Sequence, residues 1–415
     1  MNTVVSKAGD GDFSTINEAI VAATPGATIQ IQAGVYEECL IITKPLSLIG
    51  DPNGMVVVHH RDFTAIKIEN TQVKLQDLAV GIGTKPFLFT SGSSVEIRGC
   101  AVGPVEKFIT ASEPSLNKYI SVSLDRVRSN LSPQDGNAAE LTSALDESNN
   151  VGLFTANSSI STFNSVFNRT RLTFENSQAN VNDSGFESSA IYSRGGGGTI
   201  SKSFFRSILP QDSVLNCDDS NMVVNSTSIV GKASVGIHSS KGSIKVENCT
   251  LEGIGEKGTG ILAFRETQVA INECTVARYD QGISVGGNFC EGKVEITKSR
   301  LINNGVGCNI FVKRCLDGLM IELADCAISN NKTGCCVNPP TTRLKENNLW
   351  FKASACKIEN NGKCGIEICF PCHGLIRDST FNQNGRDLYR GLALFFPLLP
   401  FRRRIEIVNC SISKR

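Results

Sequence analysis

The residues best suited to chemistry in this sequence are cysteines and a histidine near the C-terminal end. Cys369, Cys372 and His373 have the Cys-x-x-Cys-His spacing of a redox dithiol and of a c-type haem attachment site. A zinc site needs four converging ligands, and Cys356 and Cys364 are the nearest further thiols. These two fall at different points of a sequence repeat, so we expect them to face different directions. The sequence therefore predicts no metal and no cofactor, with Cys369, Cys372 and His373 as its metal candidates.

An apolar segment close to the C-terminus could instead recognise a partner. Residues 391–404 read GLALFFPLLPFRRR, and the prolines disfavour a helix or a central strand there. The segment is too short to span a membrane. Exposed apolar clusters of this kind mark contacts, but the segment could equally fold back and seal the last part of the fold. The candidate partner-binding residues are Phe395, Phe396, Leu398, Leu399, Phe401, Arg402, Arg403 and Arg404.

A repeat that runs through most of the chain must position these residues. In residues 242–275, apolar residues alternate with polar ones, an Asn and a Cys follow, and another apolar residue comes two positions after the Cys. The alternation predicts strands, and its recurrence every 19 to 31 residues predicts stacked units. The small residue that marks each unit recurs at Ser165, Ser184, Ser203, Ser226, Cys249, Cys274, Ser299, Cys326, Cys356, Ser379 and Cys410.

Units of this size, with short strands and Asn, Gly and Ser corners, fit the coils of a parallel β-helix. The apolar positions lack the three-four spacing that helical repeats require. Each coil would bury its inner face by stacking on the next coil, about 4.8 Å away, and the Cys and Ser residues would form a column at a tight corner. We therefore predict an all-β fold, a single parallel β-helix.

The composition sets limits on partners and compartment. The chain has 415 residues and a net charge of +1, which gives no general attraction to nucleic acid or anionic lipid. Several of the 16 cysteines lie at the repeat position that serine also fills, which indicates small-residue packing rather than disulfides. The first residues contain no apolar signal-peptide core, so we expect a cytoplasmic protein, which could associate with the cytoskeleton.

The N-terminal passage, residues 1–50, predicts a cap followed by the first coils. Ser14 or Thr15 can cap a helix, and Glu18 follows three residues after Thr15. An apolar stripe begins at Ile16, and Pro25-Gly26 ends the helix. We expect this short α-helix to cover the open end of the stack of coils.

The rest of the chain, residues 51–415, is predicted to consist of coils with two interruptions. The first is a polar loop at 129–150, and the second is the apolar loop at 392–401. Among the less regular coils that precede the polar loop, a strand is expected at residues 120–124.

Five short motifs within the first 50 residues carry a family resemblance: Gly11-Asp12-Phe13, Thr15-Ile16, Glu18-Ala19-Ile20, Ala33-Gly34-Val35-Tyr36-Glu37-Glu38 and Leu48-Ile49-Gly50. They resemble the start of pectin methylesterases and of other pectin-lyase-like right-handed β-helix proteins. The later coils are similar to the carbohydrate-binding and sugar-hydrolase repeats of F-box β-helix proteins, the Shc SH2-domain-binding protein and NosD-type proteins. The resemblance implies a right-handed coil, the hand that parallel crossovers generally prefer.

The same resemblance implies a place for catalysis, but its motifs are incomplete in this sequence. Pectin methylesterases carry Asp-Phe-Ile-Phe-Gly and Leu-Gly-Arg-Pro-Trp signatures, and both are absent. Gln76-Asp77 and Gln134-Asp135 are lone dipeptides. Asp218-Asp219 match the adjacent acids of polygalacturonases, yet the later Gly-His-Gly and Arg-Ile-Lys motifs are missing. We therefore expect no catalytic residue and interpret each acid as a corner residue that caps a turn.

These observations lead to one main hypothesis and two alternatives. The main hypothesis is a non-catalytic intracellular scaffold that binds a protein partner or forms part of a large assembly, such as a cytoskeletal one. The first alternative is a carbohydrate-active enzyme or a glycan-binding protein of the pectin-lyase-like type, which acids and aromatic residues converging in one groove would favour. The second alternative is a NosD-like metal-associated protein.

Overall fold

The chain forms two compact units, Met1–Ile208 and Leu209–Arg415, each of which is a stack of coils. Within each unit, strands pair in parallel with the equivalent strands one coil away. The computed structural model describes residues 2–83, 85–109, 115–129, 151–207, 213–232, 234–255, 257–337, 349–368, 373–390 and 405–412.

Strands of the first unit form three faces. Face 1 comprises Leu40–Ile42, Ile66–Glu69, Leu88–Ser91, Val151–Ala156, Arg171–Glu175 and Ala190–Arg194. Face 2 comprises Asn2–Val5, Ala27–Ile31, Leu46–Gly50, Gln72–Gln76, Ser94–Arg98, Ser159–Phe163, Gln178–Asn182 and Gly197–Ser201. Face 3 comprises Gly34–Glu37, Val56–His59, Ala79–Ile82, Ala101–Pro104, Val166–Asn168, Gly185–Glu187 and Phe204–Ser207.

The second unit has three faces of its own, which we number in the same way by their order within a coil. Several of its strands run through faces 1 and 2 without a break: Ser213–Asn225, Val235–Glu247, Thr259–Asn272, Gln281–Thr297 and Val306–Ala324. Later coils have separate strands, Thr333–Val337, Cys364–Ile368 and Leu388–Arg390 on face 1, and Leu349–Ser354, His373–Arg377 and Ile405–Val408 on face 2. Face 3 comprises Ser228–Gly231, Thr250–Gly253, Thr275–Ala277, Arg300–Ile302, Ala327–Ser329, Lys357–Glu359, Thr380–Asn382 and Ser411–Ile412.

The N-terminal helix spans Ile16–Ala22, where the apolar stripe predicts it. Thr15 Oγ1 accepts a hydrogen bond from the amide of Glu18 at 3.2 Å. The carboxylate of Glu38 accepts another from the amide of Ile16 at 2.9 Å. These oxygens satisfy amides that a helix leaves unpaired at its first turn. The apolar side of the helix is buried, and the predicted capping helix is confirmed.

The predicted column of small residues lies at a corner of the coils. In the first unit, Ser165, Ser184 and Ser203 follow one another at intervals of 19 residues. The hydroxyl of Ser184 donates to the carbonyl of Asn182 at 2.9 Å and accepts from the amide of Ser165 at 3.4 Å. The residue before each serine has a left-handed φ of 46–49°. Each serine thus satisfies backbone groups that the tight corner removes from the sheet ladder.

The second unit has its own column, and one predicted member of it is wrong. Ser226 is the left-handed corner residue, with a φ of 49°. The buried Thr227 takes the column position, and its hydroxyl donates to the carbonyl of Asn225 at 2.9 Å. This shift places the buried Ile229 two residues after the column, as in the other coils. The remaining members are Cys249, Cys274, Ser299, Cys326, Cys356, Ser379 and Cys410.

The cysteines of the column act as hydrogen-bond donors within the fold. The thiol of Cys274 lies 3.2 Å from the carbonyl of Asn272, and the thiol of Cys356 lies 3.3 Å from that of Ser354. Twelve described cysteines are free thiols. Burial raises the pKa of the Cys100 thiol to about 12, so this side chain is a neutral donor at physiological pH.

A second corner of the later coils carries buried asparagines, Asn304, Asn331, Asn361 and Asn384. Asn331 Oδ1 accepts from the amide of Asn304 at 2.9 Å. Asn331 Nδ2 donates to the carbonyl of Leu301 at 2.9 Å. The amide side chain therefore replaces the backbone partners that each corner loses, in the manner of the Ser and Cys column.

The expected strand at residues 120–124 is wrong, because a helix spans Leu116–Ser129. Leu116 and Ile120 are buried one helical turn apart and pack with Phe108 against the outward side of face 3. That side is apolar, with Val57, Ala79, Ala101 and Val166 in the same cluster. The apolar outward side of a sheet is stabilised when another element removes it from water. The i, i+4 spacing places Leu116 and Ile120 on one side of the helix, and that side covers the sheet.

Candidate functional site

Most of the site residues predicted from the sequence lie outside the described residues. This applies to Cys369 and Cys372, to residues 130–150 of the polar loop, and to the partner-binding set Phe395, Phe396, Leu398, Leu399, Phe401, Arg402, Arg403 and Arg404. His373 is described, and its imidazole stacks on the indole of Trp350. Within the described ranges, no three His, Cys, Asp or Glu side chains come together as metal ligands.

A row of side chains on face 1 of the second unit has the features of a ligand site. The inner positions of these strands hold buried residues such as Ile237, Ile283 and Ile366, so the residues next to them point outward. Parallel registration aligns the outward residues coil by coil. We call this row the outer column; its members are Asn216, His238, Leu262, Ser284, Asn309, Cys336 and Glu367.

Several members of the outer column are buried although they point away from the core. Ser284 is 1% exposed, and Cys336 and Glu367 are each 8% exposed. Ser284 Oγ has no hydrogen-bond partner among the described residues. A buried hydroxyl without a partner is costly, by roughly 1–3 kcal/mol. Ser284 Oγ is therefore a buried polar atom of the outer column that forms no hydrogen bond with the described residues.

Neighbouring members of the outer column are held by bonds to other side chains. Asn309 Nδ2 donates to Gln281 Oε1 at 3.0 Å. Glu367 receives Lys363 Nζ at 2.9 and 3.2 Å on its two carboxylate oxygens. The thiol of Cys336 lies 4.0 Å from Glu367 Oε2. These contacts fix the side chains on the Glu367 side of Ser284 before any ligand arrives.

The opposite end of the outer column brings an imidazole close to a carboxylate. Asp218 and His238 lie on adjacent paired strands, in outward positions displaced by two residues. Partial burial lowers the pKa of His238 below its usual 6.5, and the negative charge of Asp218 opposes that shift. The imidazole is therefore neutral at pH 7, with one nitrogen that donates and one that accepts a hydrogen bond.

Two aromatic rings flank the outer column and converge on a pair of glycines. Phe264 and Phe311 occupy the next outward row, on coils either side of Gly286. A Cβ atom added at Gly286 would overlap the ring tip of Phe311, and one added at Gly287 would crowd the ring of Phe264. Both rings are half-buried. The glycines thus let two rings lie close to the backbone beside the polar row.

The residues of the outer column were not among the site residues predicted from the sequence, although the sequence contains a signal for them. The Gly-apolar pairs of the repeat, such as Gly236-Ile237 and Gly282-Ile283, are each followed by one column residue. Period-two alternation places that following residue outside. What the sequence could not indicate is that several outward residues would be buried, because burial there depends on how neighbouring segments pack.

No known family model matches the chain, and no curated protein matches it either. Solved structures do match. Tailspike protein 3 of bacteriophage CBA120 aligns over 95% of this chain and 58% of its own, with 10% identity and a TM-score of 0.45. An alginate epimerase, AlgG D317A, aligns over 90% of this chain and 78% of its own, with 10% identity and a TM-score of 0.39. The parallel pairing of equivalent strands from coil to coil makes the fold a right-handed parallel β-helix.

A further solved structure also aligns with the chain. The family 28 exopolygalacturonase of Yersinia enterocolitica aligns over 100% of this chain and 78% of its own, with 9% identity and a TM-score of 0.30. The chain spans a little over half of the tailspike protein. At identities this low, any activity of this chain has to be argued from its own residues.

The main functional hypothesis drawn from the sequence, a non-catalytic intracellular scaffold, is contradicted. The solved structures that align with this chain are those of a tailspike, alginate epimerases, an α-1,3-glucanase and an exopolygalacturonase. Within the described ranges, no helix has both the length and the apolar character that crossing a membrane would require.

Proposed function

We propose that the second unit binds a carbohydrate chain along the outer column. The observation that carries the proposal is the row of polar side chains on face 1 that lies beside the half-buried rings of Phe264 and Phe311. Ser284 Oγ belongs to this row and has no hydrogen-bond partner among the described residues, but it is too buried to contact a ligand directly.

A carbohydrate matches both kinds of side chain at this site. Its hydroxyls need donors and acceptors, which the side chains of Asn309, Asp218 and His238 provide. Its C–H faces pack against aromatic rings, which Phe264 and Phe311 provide. The outer column repeats once per coil, about every 4.8 Å. A polymer that lies along the column can therefore meet one column residue at each successive coil.

The proposal is tested by direct binding measurements with a panel of neutral and acidic polysaccharides, using affinity electrophoresis followed by calorimetry. Replacing Phe311→Ala removes one ring beside the column and should weaken binding about tenfold. The matched control is Phe154→Ala, an outward ring on face 1 of the first unit. The proposal fails if no polysaccharide binds, or if the Phe311→Ala protein binds as tightly as the control.

A second candidate function, cleavage of the bound chain, is favoured by one observation. His238 has a lowered pKa and lies near the carboxylate of Asp218, and such pairs can supply general acid–base catalysis. Release of new reducing or unsaturated ends from a bound polysaccharide would support this activity. Loss of that release in both Asp218→Asn and His238→Gln, with binding retained, would assign it to the pair; release that persists in both variants would exclude them.

A further inference from the structure

The geometry points to a second carbohydrate-binding site, on face 2 of the second unit, built around the indole of Trp350. This inference shares with the proposed function only the class of ligand, because it concerns a different face and different residues. Parallel registration places Lys293, Met320, Trp350 and His373 in one outward row. We call this row the indole platform.

The indole platform differs from the aromatic stacks that serve the fold. Inside the first unit, the rings of Phe167, Phe186 and Phe205 stack at 4.9 and 4.3 Å, and each is at most 1% exposed. Trp350 is 50% exposed and Met320 is 41% exposed. Leaving large apolar side chains in water gives up the free energy that their burial would contribute. Packing in the core explains the buried stack of phenylalanines, whereas the indole of Trp350 on the outer surface remains half exposed.

The orientation of the indole is fixed before any ligand arrives. The imidazole of His373 stacks on Trp350 with ring centroids 4.6 Å apart and planes 17° apart. It covers part of the indole and limits its rotation. A ring held in this way loses little conformational entropy when a sugar packs on its exposed part.

An ion pair beside the indole supplies polar contacts for such a sugar. Glu322 and Lys352 lie two residues after Met320 and Trp350 in the same strands, hence on the same face. Lys352 Nζ lies 2.6 Å from Glu322 Oε1. An ammonium group has three donors and a carboxylate about four acceptor sites, so both groups keep capacity for ligand hydroxyls.

The size of the apolar surface argues for a sugar ring rather than a protein partner. Met320, Trp350 and Leu375 are its apolar members, and charged side chains such as Lys293 and Glu322 border them. A stable protein interface covers about 800 Å² on each partner. Three neighbouring side chains cannot provide that area, but they match the C–H face of one or two pyranose rings, with the ion pair for the hydroxyls.

The test uses the fluorescence of Trp350, which is the single tryptophan of the chain. Binding of a polysaccharide identified in the panel should change the emission of Trp350 and protect it from quenching by acrylamide. Trp350→Ala should weaken binding about tenfold, and Trp350→Phe should recover part of that loss. Circular dichroism of each variant confirms that the coils are intact.

The possible outcomes separate this inference from the proposed function. If polysaccharide binds, Phe311→Ala weakens it, and neither the emission nor Trp350→Ala has any effect, the indole platform is not a sugar site and the outer column stands. If Trp350→Ala weakens binding about tenfold and Phe311→Ala leaves it unchanged, the indole platform stands and the outer column fails. If neither Phe311→Ala nor Trp350→Ala changes polysaccharide binding, both the outer column and the indole platform are wrong as sugar sites.

Discussion

Face 1 carries different surfaces in the two units. In the first unit its outward row is Lys67, Phe89, Phe154, Thr173 and Tyr192. Phe89 stacks on Phe154 at 5.6 Å, and the guanidinium of Arg171 lies over the ring of Tyr192. In the second unit the corresponding row is mostly polar and includes the buried Ser284 Oγ, which has no hydrogen-bond partner among the described residues. Inner positions are mostly apolar in both units, so they specify the coil, while outward positions are free to carry chemistry.

The largest expected effect comes from an inner position. Phe186 lies between Phe167 and Phe205 in the buried stack, so Phe186→Ala removes two ring contacts and leaves a cavity. We expect a loss of about 3–5 kcal/mol in the free energy of unfolding, measured with urea. Phe154→Ala, from the outward row of the same unit, is the matched control and should cost about 1 kcal/mol. Equal losses would remove the distinction between inner and outward positions.

A smaller effect is expected at the asparagine corner of the second unit. Asn331→Ala would leave the buried amide of Asn304 without its side-chain acceptor and remove the side-chain donor to the carbonyl of Leu301. The expected loss is about 3 kcal/mol of unfolding free energy. Asn309→Ala, in the outer column, breaks one bond to Gln281 and should cost about 1 kcal/mol. The comparison would be wrong if the column variant proved the less stable of the two.

Two serines of the second unit should respond in opposite directions. Ser299 Oγ donates to the carbonyl of Thr297 at 2.7 Å and accepts from the amide of Cys274 at 3.1 Å. Ser299→Ala should therefore lower the unfolding free energy by about 1–2 kcal/mol. Ser284→Ala removes a buried hydroxyl that has no hydrogen-bond partner among the described residues, so it should leave stability unchanged or raise it. A destabilised Ser284→Ala protein would mean that the hydroxyl serves the fold.

The smallest effect is a pH dependence from the outer column. The pKa of His238 is lowered in the folded state by burial, so the unfolded chain takes up this proton first as pH falls. The unfolding free energy should decline as pH drops below about 6.5, and the stabilising contribution should be complete above that pH. Urea unfolding of wild type and His238→Gln on both sides of this pH measures the contribution. An identical pH slope for the two proteins would show that His238 does not cause it.

Much of the fold could be predicted from the sequence because the inner positions repeat. The Cys and Ser marks and the apolar residues two places later depend on local corner geometry, which every coil shares. The error at Ser226 is a shift of one residue, since either hydroxyl fits the pattern and only the left-handed corner distinguishes Ser226 from Thr227. The helix Leu116–Ser129 differs from the prediction because it covers the apolar outward side of face 3. The need for that cover comes from the sheet, so no local pattern in the sequence of the helix reveals it.

The candidate site was much less predictable than the fold. Its residues are outward, so they vary freely from coil to coil, as the change from His238 to Leu262 to Ser284 illustrates. Their position is implied by the Gly-apolar pairs, but their burial is not. The convergence of Phe264 and Phe311 over a glycine pair depends on contacts between residues 47 positions apart. Scaffold hypotheses drawn from missing motifs failed for the same reason, because a site without a known motif leaves no local signature.

The corner hydroxyls give the stack a direction of assembly. The amide of Ser165 donates to Ser184 Oγ, and the amide of Ser184 donates to Ser203 Oγ, so each coil is completed by the one that follows it in the chain. During synthesis the most recently made coil would always present an unsatisfied donor to the segment emerging next. Folding would therefore proceed from the N-terminal end, and each completed coil would act as the template on which the next coil forms.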